Sequence, residues 1–496
     1  MTTARAILAI DQGTTNTKVV VFDALGRIVA RASRPNVVAH PQPAWAEQSA
    51  IEVWEGVREA IAEAVESIGD RFDICGVAIS NQRESVVVWD AITGEPVGPS
   101  ILWQCRRTSA RCQALRAQKL EPQIVARSGL GLDALFSATK IAWLLDSRPG
   151  LRARAERGDL RAGTMDAWLI WKLTGGVHAT DLSNASRTQL LNLDSLTWDP
   201  WLADAFQVPL AILPQIRPSN AVFGETRDGA TRLRAGLPIL AVMGDSHAAL
   251  YGHSITGVGE VKVTCGTGSS LISVTDRRVS SSNGLSSTIA WQKGDTAFHA
   301  LEGNISVSGQ TAALTAALLG LEDAEALTRL AQTVPDADGI VLVPAFAGLG
   351  APHWKEDARG TISGMTLGSR PAHVARAALD AIALQIVDVL KAMESDLGQS
   401  FPVIAVDGGA SANDMLMQLL ADLSGCPVRR GTIVELSAFG VARLAAESLG
   451  LRWASGSTDN AVVFTSAMAP DTRQRISSRW RQAVTRASIT IPLEPL

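Results

Sequence analysis

Two apolar runs, Ala6–Ile10 and Val19–Phe22, flank a polar stretch that holds Asp11, Gly13, Thr14, Thr15, Asn16 and Lys18. Their length and separation predict a β-hairpin, joined by the turn Asp23-Ala24-Leu25-Gly26 to a third strand over Arg27–Ser33. Val53, Trp54, Val57, Ile61, Val65 and Ile68 then recur at the spacing of an amphipathic helix over 52–68, and Ile74–Ile79 reads as a buried strand. Further strands are expected at Ser85–Trp89 and Pro238–Met243, with helices over 139–146 and 166–173. The alternation predicts an α/β fold with helices packed on a mixed sheet.

Near Gly252–Gly259 the pattern restarts. Glu260–Thr264 is a predicted strand, Cys265–Ser269 a turn of small residues, and Leu271–Thr275 the returning strand, which repeats the order of the opening hairpin. Strands near 287–292 and 297–302 and a helix from about 308 extend the parallel with the first half. A long helix near 372–396 carries Val374, Ala378, Ile382, Ile386, Val389 and Met393 on one buried stripe. Val403–Val406 then runs as a strand into Asp407-Gly408-Gly409-Ala410-Ser411, with a helix over 412–423. A glycine pair between a buried strand and a helix start suits close approach of a nucleotide. No low-complexity linker separates the halves, so two domains, 1–252 and 253–496, are expected to face each other across a cleft.

Composition narrows the function classes. A chain of 496 residues exceeds one ordinary core, and 46% hydrophobic with 19% charged residues is the balance of a folded soluble protein. A net charge of −4 and a pI near 6.0 argue against a nucleic-acid partner or an anionic membrane surface. The short clusters Arg106–Arg107 and Arg429–Arg430 read as solvated surface. Five cysteines, odd in number and without CxxC spacing, fit reduced thiols in the cytoplasm better than disulfides or a zinc site. The first apolar run, ended by Asp11, is too short for a signal peptide, and no stretch is long enough to span a bilayer. No Gly-Lys dipeptide occurs, which excludes a Walker A loop, and neither GxGxxG nor HExxH is present.

Phosphate chemistry therefore has to come from another architecture, and the tip of the first hairpin supplies candidates. Gly13 lets the backbone approach a ligand, amides and hydroxyls of Thr14, Thr15 and Asn16 can donate to phosphate oxygens, and Lys18 adds charge. Asp11, at a strand end, is placed to hold a hydrated Mg²⁺. Asp245 ends a buried strand and opens a helix, which suits a helix N-cap or a carboxylate facing the cleft. Arg83 and Glu84 follow a strand; they suit a surface ion pair, or the donor and acceptor pair that a polyol needs. The seven histidines form no metal-ligand set, and His247, two positions past Asp245, is expected to add polarity behind the pocket.

Three glycine-containing turns, AIDQGTTNTK, TCGTGSS and VDGGASAND, in this order, resemble the phosphate-1, phosphate-2 and adenosine motifs of the actin-like ATPase fold. SNQRESVVVWD (80–90), ILWQCRRT (101–108), DAWLIWKLTGG (166–176), LSNASRTQLLNL (182–193), GDSHAALYG (244–252), VPAFAGLGAPHW (343–354) and GTISGMTLGSRPAHVARAALD (360–380) narrow the resemblance to the FGGY carbohydrate kinases, and within them to the glycerol kinase branch. It covers residues 6 to 447. The resemblance implies two RNase H-like domains with a catalytic cleft between them, ATP and Mg²⁺ as cofactors, a small polyol or sugar as substrate, and a homodimer or homotetramer in the cytoplasm. Carried onto this chain, it makes Asp11 and Asp245 the metal carboxylates and Asp245 also the catalytic base. It makes Thr14, Thr15, Asn16 and Lys18 the first phosphate loop and Gly266 and Thr267 the second, with Gly309 where the family approaches the ribose and phosphates. Gly409, Ala410 and Asn413 become the adenosine contacts, and Arg83, Glu84 and Trp103 the polyol site.

The chain also departs from that branch. Leu135 stands where glycerol kinases carry a tyrosine, Ser246 where they carry a glutamine, Ser270 where they carry a phenylalanine, and Ala313 where they carry a glutamine near the nucleotide. Only one glycine remains in Asp228–Arg232, where some members carry a glycine-rich loop for a sugar bisphosphate. Serine in place of phenylalanine enlarges the pocket and adds a hydroxyl, so a four- or five-carbon polyol or ketose is expected over glycerol. The alternatives are a divergent true glycerol kinase and, in another class, an actin-like ATPase without a sugar substrate or a silent sugar-binding regulator.

Overall fold

The computed structural model describes residues 4–451, 453 and 461–489. A five-stranded sheet runs in the order Ile239–Gly244, Phe72–Asn81, Ala4–Gln12, Asn16–Asp23, Ile28–Pro35. The first three strands are mutually parallel and the last two are antiparallel additions. Helix Ala50–Ile68 starts at Ser49, whose hydroxyl accepts from the Glu52 amide, and lays Val53, Trp54, Val57 and Ile61 on this sheet.

A seven-stranded sheet repeats the device in the second half, in the order Ser286–Lys293, Thr296–Ile305, Ser269–Thr275, Val261–Cys265, Ile404–Asp407, Val428–Arg430, Val462–Phe464. Val261–Cys265 pairs antiparallel with Ser269–Thr275 and parallel with Ile404–Asp407. The long helix Pro371–Leu397 fills the core on one side of this sheet. A separate cluster joins the halves: Ile7, Phe22 and Met243 pack with Ile272, Trp291 and Ala405 around helix Leu436–Ser448.

The expected elements are present with ends shifted by at most three residues, and four differences have physical reasons. The helix expected over 412–423 begins as a 3₁₀ turn, Gly409–Ala412, and becomes α-helical only at Asp414–Ser424, because Asn413 caps it by accepting from the Leu416 amide at 3.1 Å. Helix Leu436–Ser448 escapes the periodicity argument because it is buried on most sides between the halves. Short helices such as Ser109–Ala117 and Glu121–Ser128 offer too few turns for a clear apolar stripe. The reading of Arg106–Arg107 as solvated surface is corrected. The Arg107 side chain is 1% exposed, lies 3.9 Å from the Trp45 ring centroid and donates to Glu47 at 2.6 Å, while Arg106 pairs with Asp133. Arg429 and Arg430 are each 21% exposed and paired, with Glu260 and Asp414. All five cysteines are free thiols, and among the described residues no helix is long and apolar enough to cross a membrane.

Candidate active site

Register brings the chemistry together. Along the parallel strands Asp11 lies opposite Ser80, and Gly244 opposite Asn81, so three C-terminal strand ends are level. Open α/β sheets bind ligands at this edge. Asp11, Arg83, Glu84 and Asp245 all leave from it.

Asp245 is the first residue of helix Asp245–Gly252, after Gly244 as N-cap. Its Oδ1 accepts from Arg83 Nε at 3.1 Å and from the Ser246 amide at 2.6 Å; among the described residues no hydrogen bond ends on Oδ2. One oxygen is fixed, the other is available, and the side chain is 39% exposed. Withdrawal from bulk water raises its carboxyl pKa, with Arg83 opposing. Asp11 is pushed up to about 7 by burial, against a 2.9 Å bond from Ser80 Oγ, and the charge of Asp245 adds to the rise. Two carboxylates close enough to raise proton affinity in this way fit a hydrated Mg²⁺, which takes one or two carboxylates and keeps several waters.

Behind Asp245 lies a sealed charge cluster. Arg83 Nη1 donates to both Glu302 oxygens, at 2.7 and 2.8 Å. Arg187 pairs with Glu302 at 3.0 Å and donates from Nε to Glu84 at 2.6 Å. Burial would raise the Glu302 carboxyl, but Arg187 and Arg83 hold it well below the usual range. Glu84 has φ 62°, left-handed for a non-glycine residue, and is held there by Ser137 Oγ and Lys140 Nζ, both donating to its carbonyl, at 3.0 and 3.4 Å. Lys140 also donates to the Leu135 carbonyl, which ties Leu135 to Glu84. Ser246 Oγ donates to Ser270 Oγ at 3.1 Å, and Ser270 Oγ to Glu302 at 3.0 Å. The string Asp245, Arg83, Glu302, Ser270, Ser246 is continuous.

The phosphate turns are built from close backbone contacts. The Gly13 amide donates to the Asn16 carbonyl at 2.9 Å, which closes the first turn. Trp103 Nε1 donates to Thr14 Oγ1 at 2.9 Å, so the indole braces this loop. In the second half the Gly309 amide donates to the Gly266 carbonyl at 3.0 Å, and Ser308 to that of Thr267 at 3.0 Å. A Cβ on Gly309 would stand 2.4 Å from the Gly266 oxygen and 3.5 Å from Ala410 Cβ, so the Cys265–Ser269 turn and the loop at Ala410 converge there. At the adenosine loop the glycine the backbone requires is Gly408, with φ +87 and a Cβ that would meet the Cys265 carbonyl at 2.5 Å; a Cβ on Gly409 faces open space.

Four residues expected to contact the ligand have other partners. Lys18 Nζ pairs with Glu435 at 2.8 Å. The Asn413 side chain caps its helix and donates to Thr328 at 2.8 Å. Thr15 and Asn16 are exposed and bond each other at 3.3 Å. His247 is fully buried, neither ring nitrogen has a hydrogen-bond partner, and burial beside Arg83 lowers its pKa well below the ordinary histidine value. Sequence reasoning missed Glu302 and Arg187. Their signals were a lone carboxylate at the buried end of the strand over 297–302 and an arginine inside LSNASRTQLLNL.

Residues 6–252 match the N-terminal domain, and 261–449 the C-terminal domain, of the FGGY family of carbohydrate kinases. The chain is 45% identical to a glycerol kinase of Alkalilimnicola ehrlichii over 490 residues, 97% of this chain and 98% of that one. It is 46% identical to a glycerol kinase of Paraburkholderia xenovorans over 448 residues, 90% and 89% of the two. Among solved structures, the Plasmodium falciparum glycerol kinase with ADP superposes with a TM-score of 0.91 at 30% identity, covering 99% of both chains.

Proposed function

The chain belongs to the FGGY family of carbohydrate kinases, phosphotransferases that use ATP with Mg²⁺ and an alcohol acceptor, and on that premise we propose that its acceptor is a polyol or ketose of four or five carbons. The observation that carries this reading is the hydroxyl-lined string Ser246–Ser270–Glu302 beside Arg83 and Asp245. A site whose polar groups are arranged for particular hydroxyls discriminates strongly against a ligand that lacks them. Glycerol occupies one end of such a site and leaves the room beside Ser270 unfilled.

In this reading Arg83 donates to, and Glu84 accepts from, the substrate hydroxyls, with Trp103 and Leu135 as apolar walls. Asp245 Oδ2 takes the proton of the attacking hydroxyl while Oδ1 stays fixed, as general-base catalysis requires. The new bond joins the hydroxyl oxygen to the γ-phosphorus, the bond to the β-bridging oxygen breaks, and ADP leaves. Asp11 and Asp245 would hold Mg²⁺, which when bound neutralises charge on the transferring phosphoryl group. The turns around Thr14 and Thr267 line the phosphates, and Gly409 and Ala410 border the adenosine. The division into domains 1–252 and 253–496 is part of the same reading.

The identity to glycerol kinases, 45–46%, favours a second reading, glycerol itself as acceptor. A coupled ADP-release panel over glycerol, tetritols, pentitols and ketopentoses separates the two. The expected result is the highest kcat/KM on a four- or five-carbon acceptor. The highest value on glycerol overturns the enlarged site, and ADP release independent of every polyol overturns the kinase.

A further inference from the structure

Lys262 lies on strand Val261–Cys265, the strand that leads into the Cys265–Ser269 turn, and is fully buried. Its Nζ makes three hydrogen bonds: to the Ser246 carbonyl at 3.0 Å, to Ser246 Oγ at 2.8 Å and to Thr264 Oγ1 at 2.7 Å. Each partner is an acceptor. The Ser246 hydroxyl proton is committed to Ser270, and the Thr264 hydroxyl is bonded to the Asp407 carboxylate. Three acceptors demand three donors, so the amine is an ammonium. Burial lowers its pKa, and the charges of Asp407, Asp245 and Glu302 oppose that.

A buried ammonium without a carboxylate in direct contact is costly, and apolar side chains of similar size often stabilise such positions. Its connections give the reason to keep it. On one side Lys262 grips both polar groups of Ser246, the residue whose amide holds Asp245 Oδ1 at 2.6 Å. On the other it grips Thr264, which lies opposite Asp407 in the parallel strand pair, one residue before Gly408. Asp407 is fixed in turn by His253 Nε2 at 2.9 Å. We infer that Lys262 is a positioning residue that ties the catalytic carboxylate to the nucleotide-binding strands, so that the base is set relative to the phosphates. This rests on the reading of Asp245 as the base.

The test compares Lys262→Met and Lys262→Arg with Asp245→Asn in the full-length enzyme, on the acceptor with the highest turnover in the panel. Misplacing a reacting group by about 1 Å costs about 100-fold, so Lys262→Met is expected to lower kcat by about 10- to 100-fold. Its acceptor KM should rise by less than kcat falls, because Lys262 touches the acceptor site only through Ser246 while Arg83, Glu84 and Trp103 are untouched. Its thermal midpoint should be unchanged or raised, and Lys262→Arg, which restores charge and donors, should recover part of kcat. An unchanged kcat in Lys262→Met overturns the inference. So does a joint fall of kcat, both affinities and the midpoint, which is the signature of a merely structural residue. If Lys262→Met does not fold, Thr264→Val decides by the same criteria, since it removes one acceptor and leaves the charge. Asp245→Asn separates the two readings. Near wild-type turnover there sinks the base assignment and the inference with it, whereas an inactive Asp245→Asn beside an unimpaired Lys262→Met sinks the inference alone.

Discussion

Replacing Glu302 with Gln keeps its shape and deletes its charge. In the native protein this carboxylate receives two hydrogen bonds from Arg83, one from Ser270, and an ion pair from Arg187, with Glu302 and Arg187 fully buried and Arg83 nearly so. The variant leaves two buried guanidinium groups with Glu84 and the half-open Asp245 as their anions. Breaking a buried pair by removing one partner costs about 3–5 kcal/mol. A shift of 1 kcal/mol moves the melting point of a domain this size by about 2–4 °C, so the midpoint should fall by about 6–20 °C. The sign of the pH dependence follows from the depressed pKa. The stabilisation is fully present above 4.5, the ordinary value for glutamate, and is lost as the pH falls through the folded value. The gap between wild type and variant is therefore widest at neutral pH and closes in acid. Activity should change selectively: acceptor KM rises because Arg83 loses its anchor, while the KM for ATP moves little. Tryptophan fluorescence on heating reads the first effect and coupled ADP release the second. An unchanged midpoint at pH 7 refutes the charge argument, and a lowered midpoint with an unchanged acceptor KM refutes the anchoring of Arg83.

Asp11→Ala should raise the Mg²⁺ concentration needed for half-maximal velocity by about tenfold or more, as expected for loss of a metal carboxylate, with acceptor affinity measured without nucleotide unchanged; a large loss of that affinity makes Asp11 structural. His178 gives a pH prediction. It sits edge-on to Trp89 with Nε2 3.0 Å from the Ala162 carbonyl, and burial lowers its pKa from 6.5 to about 4. The unfolded chain then binds a proton that the folded chain refuses, so this residue subtracts stability as the pH falls from 6.5 to about 4 and subtracts none above. Urea midpoints of His178→Gln should decline less than wild type across that window, and parallel declines would show that His178 does not titrate there.

What could be read from the sequence was whatever neighbouring residues encode. The first hairpin, its turn chemistry, the parallel strand ends and the position of Asp245 follow from short apolar runs and from residues within a few places of each other. What was not legible depends on partners distant in the chain. Lys18 has the right place for a phosphate contact, yet Glu435, 417 residues away, takes its ammonium. Arg107 reads as surface until the fold brings Trp45 and Trp143 against it. Glu302 is one carboxylate in an apolar strand, and nothing in its neighbourhood announces that Arg83, 219 residues earlier, will reach it. Asn413 has the right place in the sequence for a nucleotide contact, yet its side chain caps its own helix and donates to Thr328, 85 residues away.

On the reading of Asp245 as the base, the charge cluster also bears on how an arginine sits beside it without occupying both its oxygens. A guanidinium left to itself would take Asp245 in a two-point grip, one N–H to each oxygen, and a carboxylate held that way has no oxygen left for a substrate proton. Here Arg83 gives Nη1 to both oxygens of Glu302 and Nε to Oδ1 of Asp245, and among the described residues no hydrogen bond from it ends on Oδ2. Glu302 in turn is held to its place by Arg187 and Ser270. The serine at 270 thus does more than vacate the space of a larger side chain: it contributes a donor to the carboxylate that anchors Arg83 Nη1. Fixed charges arranged before the reaction cost no reorganisation when the hydroxyl attacks, which is the form in which electrostatic stabilisation is most effective. Because Glu302, Ser270 and Lys262 come from one sheet and Arg83, Arg187 and Asp245 from the other half of the chain, that arrangement exists only while the two halves are packed together.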